Sequence, residues 1–319
     1  MRRVIGGAFW TLVWLVVLAV LVLLAFRLWA AWREAAPLAV PAEGRMIETA
    51  LGAVYVEDAG AADAPAVLLV HGSVGWARMW QPTTVALAAA GYHAIAFDLP
   101  PMGFSERDPA DDYSRARQAA RIVALAQALG VTPILVAHSF GAGPAAEAAM
   151  REPGAFAGLV VVSGAIGLNA PKTLPLLLAP ERVREVLVAA TVTNPFASTP
   201  LLKSFLFRKD AVTPGLIAML QVPMNRPGST ATLARWLPSL IVPPTDALSV
   251  TEAGWQALTL PVAFIWGDRD GATPLAQGQV LATLTDAPLF VLPEVGHIPQ
   301  IEDPDAFHRT LIDALTALK

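Results

Sequence analysis

The 319-residue sequence specifies an α/β fold: a mostly parallel central sheet with helices on both faces, a helical cap inserted into it and an apolar helix ahead of it. Three patterns carry that expectation. Short β-type runs that are apolar throughout alternate with stretches of helical spacing, as strands buried on both faces require. The alternation lapses once, for roughly ninety residues, too many for an ordinary connection. An uncharged apolar run long enough to cross a bilayer precedes the whole pattern.

That run comes first. Met1-Arg2-Arg3 is followed by Val4–Phe26, which Arg27 and later Arg33 close. At about 1.5 Å per helical residue it extends about 34 Å, against a hydrocarbon core of about 30 Å. Gly6 and Gly7 are tolerable in a membrane helix, and Trp10, Trp14, Trp29 and Trp32 suit the interfaces. A cleaved signal peptide is the competing reading, with small residues at Ala30-Ala31 and Ala35-Ala36. Signal cores usually hold about 7–15 residues, fewer than here, so residues 1–33 are expected to form a retained transmembrane anchor. The positive-inside count is a tie, Arg2 and Arg3 against Arg27 and Arg33. The amino terminus and Glu34 tilt it toward a folded domain outside the cytoplasm. Residues 34–44, rich in Pro and Ala, read as a tether. A chain starting near Pro41 is therefore expected to be soluble and active.

The β-type runs are Met46–Thr49, Val54–Glu57, Ala66–Val70, His93–Phe97, Ile134–Ala137, Leu159–Val162, Val262–Trp266 and Leu289–Leu292. The first two, joined by Ala50-Leu51-Gly52-Ala53, suggest an antiparallel hairpin at one edge. From the third run onward the gaps hold helical stretches: Thr83–Ala90, Ala116–Leu129, Ala142–Arg151, Pro274–Leu284 and Pro304–Leu318. Residues 45–166 and 256–319 are thus assigned to the core. Residues 167–255, rich in Leu and Pro with helical pieces such as Pro180–Ala190 and Pro214–Leu220, are assigned to the cap.

Composition narrows the function. Only 15% of residues are charged, against roughly 25% in soluble domains, and the net charge is −4 with no basic run. Nucleic acid is not an expected partner. The absence of cysteine excludes disulfides, thiolate catalysis and cysteine-based zinc sites. No phosphate loop, dinucleotide fingerprint or metal-ligand cluster is present, so neither a cofactor nor a metal is expected.

Chemistry concentrates where strands end. Ile134–Gly143 reads as a strand, a sharp turn and a helix of small residues, which lifts Ser139 into a strained, exposed position. The helix beginning near Phe140 points its positive end at the place where an oxyanion would form. A helix N-cap is the blander reading of Ser139. His71-Gly72-Ser73 follows the third strand run, and the backbone N–H groups of Ser73 and Phe140 make two candidate oxyanion donors. His71 is read as a support of that loop. Asp268 and Asp270 follow the run Val262–Trp266, and His297 follows Leu289–Leu292. A serine hydroxyl needs an imidazole to take its proton, and the imidazole needs a carboxylate to fix its tautomer. The chain order of serine, acid and histidine suits parallel strands that share one edge.

From Arg45 to Lys319 the sequence resembles the α/β-hydrolase superfamily. The motifs are HGS at His71–Ser73, Trp80, DLPPMGFS at Asp98–Ser105, AHSFGAG at Ala137–Gly143, WGDRDGATP at Trp266–Pro274 and GHIPQIEDPDAF at Gly296–Phe307. Two positions depart from the family pattern: Ala137 replaces the first glycine around the nucleophile, and Pro101 the first glycine of the aspartate loop. The resemblance implies the α/β-hydrolase fold, with Asp270, the fourth residue of G-x-x-D, as acid and Asp268 as second choice. It implies a triad of Ser139, Asp270 and His297 and no cofactor. Haloalkane dehalogenases and epoxide hydrolases share the layout but use an aspartate nucleophile, which Ser139 argues against. A carboxylesterase or lipase-like serine hydrolase acting on an apolar acyl ester is expected. The alternatives are serine-type C–C hydrolysis, cofactor-free perhydrolysis and a non-catalytic, membrane-tethered binding protein.

Overall fold

The computed structural model describes residues 2–168 and 173–318, with side chains from Trp10 onward. Met1 of the expected anchor, residues 169–172 of the expected cap and Lys319 of the expected core lie outside the described residues.

An 8-stranded sheet runs in the order β1-β2-β4-β3-β5-β6-β7-β8. Its strands are β1 Arg45–Ile47, β2 Val54–Ala59, β3 Ala66–Val70, β4 His93–Phe97, β5 Ile134–His138, β6 Gly158–Val162, β7 Val262–Gly267 and β8 Leu289–Leu292. Pairing is parallel from β4 to β8, while β1 and β2 form the antiparallel edge. Every expected strand is present, with ends moved by one or two residues.

The helices are α1 Arg2–Arg33, α2 Gln81–Ala89, α3 Arg115–Leu129, α4 Ala142–Arg151, α5 Glu181–Ala190, α6 Pro195–Phe205, α7 Pro214–Gln221, α8 Ser229–Ile241, α9 Glu252–Gln256, α10 Leu275–Thr285, α11 Pro299–Glu302 and α12 Pro304–Ala317. Local signals set several ends. Ser114 accepts from the Arg117 N–H to open α3, and Gly130, left-handed, closes it. Asp303 accepts from the Ala306 N–H to open α12.

Alternation along the strands divides the core in two. Leu68, Val70, Ile95 and Phe97 pack on one face with Ile122 and Leu125 of α3, Ala145 of α4 and Leu281 of α10. Val67, Leu69, Ala94 and Ala96 pack on the other with Leu87 of α2 and Phe307, Leu311 and Leu315 of α12. Both faces are dry, which is why the central strands carry no polar alternation.

Between β6 and β7 the chain leaves the sheet and builds α5 to α9. Expected pieces at Pro180–Ala190 and Pro214–Leu220 correspond to α5 and α7. Helices α6 and α8 were not legible because Pro200 and Pro238 lie inside them. An internal proline normally ends a helix in sequence reasoning.

Helix α1 is continuous and apolar, with a mean hydropathy of 2.7 over its best window between Trp10 and Arg33, and its length suffices to cross a membrane. Its last turns pack on the α5–α8 layer. Ala30 is buried, Arg27 pairs with Glu185 at 2.7 Å, and Arg33 donates to the Thr193 carbonyl. Glu34, expected to begin the tether, is buried instead and accepts from the Thr230 N–H at 3.1 Å and from the Thr230 hydroxyl. Removal of this segment leaves a seat on α5 and α8 uncovered and a buried N–H unpaired, a loss of about 2 kcal/mol. A chain beginning at Pro41 should therefore be soluble, yet melt roughly 5 °C below one beginning at Arg27. Equal melting by calorimetry would show that the segment is only a tether.

Candidate active site

Ser139 stands where β5 ends, with φ of 51°, a left-handed conformation costing on the order of 1–2 kcal/mol in a residue with a Cβ. Its neighbours hold it there. The Ser139 carbonyl accepts from the Ala165 N–H at 2.9 Å. A Cβ on Gly141 would lie 2.4 Å from the His71 carbonyl oxygen, and one on Gly72 would lie 2.9 Å from the Ser139 Cβ. Only glycine lets the β3 loop and the elbow approach this closely.

The three chemistry-bearing side chains singled out in the sequence meet at this edge. Ser139 Oγ lies 2.8 Å from His297 Nε2. His297 Nδ1 lies 2.9 Å from Asp270 Oδ2. Donation from Nδ1 to the carboxylate leaves Nε2 as the acceptor for the serine proton. Burial alone would raise the Asp270 carboxyl; hydrogen bonds from His297 and from the Thr273 N–H and hydroxyl outweigh it and hold it below the usual carboxylate range. Asp268, in contrast, is exposed, with Arg269 at 3.8 Å.

Ser73 lines the cavity beside Ser139. Phe140 is buried in the middle of the 3₁₀ turn Ser139–Gly141, its ring edge-on to Trp236 of α8 at 5.1 Å. His71 is fully buried, and burial pushes its pKa down to about 4. Its Nε2 accepts from the Leu99 N–H at 2.9 Å, and its Nδ1 donates to the Gly72 carbonyl at 2.8 Å. A neutral ring so engaged supports the loop that carries Ser73. His138 donates Nε2 to the His297 carbonyl at 2.9 Å.

Two residues in the site were not singled out from sequence. Thr273 donates its hydroxyl to Asp270 Oδ2 at 2.8 Å, and its N–H reaches Oδ1 at 2.8 Å. Its signal was its place three residues after the acid. Glu302 is buried, and its Oε2 accepts from the N–H groups of Gly296, Phe207 and Arg208 at 2.9, 2.8 and 2.9 Å. One carboxylate thus ties the histidine loop to the segment after α6, and His297 donates its own N–H to the Phe205 carbonyl at 3.0 Å. Glu302 lies inside the GHIPQIEDP motif, but nothing local shows what it holds.

Above the site lies a cavity of about 390 Å³. Val192, Leu201, Leu202, Phe205, Leu220 and Leu240 form much of its wall, and no arginine or lysine lines it among the described residues. The arrangement can activate a hydroxyl nucleophile against a substrate held in an apolar pocket.

Comparison with known proteins agrees with this fold. A family model described as alpha/beta hydrolase fold matches residues 65–304. The 2-hydroxymuconate semialdehyde hydrolase of Pseudomonas sp. (strain CF600) is 31% identical over 288 residues, 88% of this chain and 96% of that protein. Among solved structures, a 2-hydroxy-6-oxo-6-phenylhexa-2,4-dienoate hydrolase from Rhodococcus sp. strain RHA1 superposes with a TM-score of 0.70 at 21% identity, covering 87% of this chain and 100% of that one. A membrane phospholipase A superposes at 0.67 and 22% identity over 100% of this chain and 99% of that one.

Proposed function

The chain belongs to the α/β-hydrolase fold family, and from that premise we propose that it is a membrane-anchored serine hydrolase that cleaves an apolar carboxylic ester. His297 Nε2 takes the Ser139 proton as Oγ attacks the ester carbonyl. The N–H groups of Ser73 and Phe140 meet the developing oxyanion. Collapse expels the alcohol, which leaves with the proton from His297, and water then repeats the sequence on the acyl-Ser139 ester. The anchor keeps this domain at the membrane, on the side away from the cytoplasm.

The observation that supports an ester over a carboxylate-bearing substrate is the cavity wall, largely apolar and without arginine or lysine among the described residues. C–C hydrolysis is the second reading, favoured by the 2-hydroxymuconate semialdehyde hydrolase at 31% identity. A dienoate substrate carries a carboxylate, however, and a carboxylate taken into such a wall would find no arginine or lysine among the described lining residues. The two readings separate in one assay. With p-nitrophenyl esters of rising chain length, kcat/KM should climb about fourfold per methylene until the pocket is filled, from about 0.8 kcal/mol per buried methylene. A 2-hydroxy-6-oxo-dienoate should turn over at least about a hundredfold more slowly than the best ester, the scale of an unpaired buried charge. The opposite ranking would establish the C–C reading.

A further inference from the structure

We propose that the tip of the cap, Leu176 and Leu177, docks into the same bilayer that α1 crosses, so that the site draws a membrane-borne acyl ester. This rests on the reading of α1 as a retained membrane helix; the surface itself does not depend on the ester chemistry.

The direction of two packed helices carries the argument. Arg27 meets Glu185 of α5 and, further along α1, Arg33 meets the carbonyl of Thr193, three residues past the end of α5. Helices α1 and α5 therefore run side by side in the same direction. Toward its own N-terminus, α1 becomes the apolar run that ends at Phe26. Toward its N-terminus, α5 leads to the 3₁₀ turn Leu176–Leu178, held against the helix by Arg184, which donates to the carbonyls of Leu178 and Ala179 at 2.8 and 2.7 Å. Glu181, where α5 begins, precedes Glu185 by four residues, about 6 Å at helical rise, and the turn that carries Leu177 comes before it, on the same side of the Arg27 level as the apolar run.

The side chains at that end suit lipid. Leu176 is 91% exposed, more than any other large apolar residue described, and Leu177 is 73% exposed. Isolated exposed leucines are ordinary, but an adjacent pair just before a helix packed on a membrane helix marks an interaction surface. Arg182, exposed in the first turn of α5, falls between the leucines and Arg27, where a long cationic side chain reaches headgroup phosphates. The contact is rigid. Trp29 of α1 stacks on Phe196 of α6 at 5.5 Å between ring centroids, and the buried Glu34 fixes the end of α1 to Thr230. The same α6 turns Leu201, Leu202 and Phe205 into the cavity, so the helix that roofs the pocket is the one seated against the anchor.

The chain contains no cysteine, so single dyes can be placed without background. The full chain is reconstituted into phosphatidylcholine–phosphatidylglycerol vesicles containing nitroxide-labelled lipid, with a nitrobenzoxadiazole dye attached through Leu15→Cys, Leu177→Cys or Val280→Cys. Dyes at positions 15 and 177 should be quenched, and the dye at 280, on the exposed face of α10, should not. Quenching at 15 with none at 177 overturns the docking surface and leaves the anchor standing. No quenching at 15 overturns both. In a second arm, Leu176→Glu combined with Leu177→Glu should slow hydrolysis of a long-chain ester dissolved in the vesicles by at least about tenfold, given the penalty for charge in lipid. Hydrolysis of water-soluble p-nitrophenyl butyrate should be unchanged. Equal rates of wild type and variant on the vesicle-borne ester overturn the membrane source of substrate. If the wild type cleaves neither ester, the proposed ester chemistry falls, and the quenching still decides the surface.

Discussion

Replacement of Ser139 by alanine should lower kcat by roughly 10⁴–10⁶-fold, because the remaining groups can orient a substrate but have no nucleophile to activate. His297→Ala should cost about as much, since Nε2, 2.8 Å from Oγ, is the base that Oγ meets among the described residues. The double variant should be scarcely worse than either single one, as expected of groups that act as one unit. Intact-mass measurement after organophosphonate treatment should show one adduct, on the peptide that contains Ser139. Loss of activity without unfolding is expected, because Ser139 Oγ packs at the floor of a cavity and its carbonyl bond to Ala165 survives in alanine. An alanine variant that hydrolyses p-nitrophenyl esters as fast as wild type would dismiss the nucleophile. A wild type that neither labels nor turns over any ester would favour the tethered binding protein.

Asp270→Asn should reduce kcat by roughly 10⁴-fold, through the tautomer of His297 rather than through loss of contact. Asp270 Oδ1 accepts from the N–H groups of Ala272 and Thr273 at 2.9 and 2.8 Å. An asparagine would keep its carbonyl oxygen toward those donors and turn its NH₂ toward His297 Nδ1. The ring would then have to accept at Nδ1 and carry its proton on Nε2, where it can no longer receive the one from Ser139. Asp268→Asn should cost about tenfold at most, since its exposed carboxylate lies beside the neighbouring Arg269 and away from His297. The two variants are compared by kcat at saturating ester with melting temperature as a control. The reverse ranking would assign the acid to Asp268.

What the sequence determined by itself is the set of features written in short-range signals. Strands buried on both faces are apolar without alternation, helices between them repeat every three to four residues, and turns expose small residues. Those signals located all eight strands, the elbow at Ser139 and the loops of Asp270 and His297, because parallel strands deliver their following loops to one edge. The antiparallel edge of β1 and β2 was legible for the same reason, from a four-residue connection. The tertiary structure alone decided the rest. Residues 1–33 read as one anchor and Glu34 as the start of a tether, but Glu185, Thr193 and Thr230 receive the last turns of α1 and bury Glu34 on the cap. Helices α6 and α8 persist through Pro200 and Pro238 because packing outweighs a locally unfavourable residue. Glu302 lies only six residues from Gly296 but 94 from Arg208. Periodicity describes which face of an element is apolar; it carries no information on which distant N–H a buried carboxylate will find, and the join between cap and histidine loop is made of just such bonds.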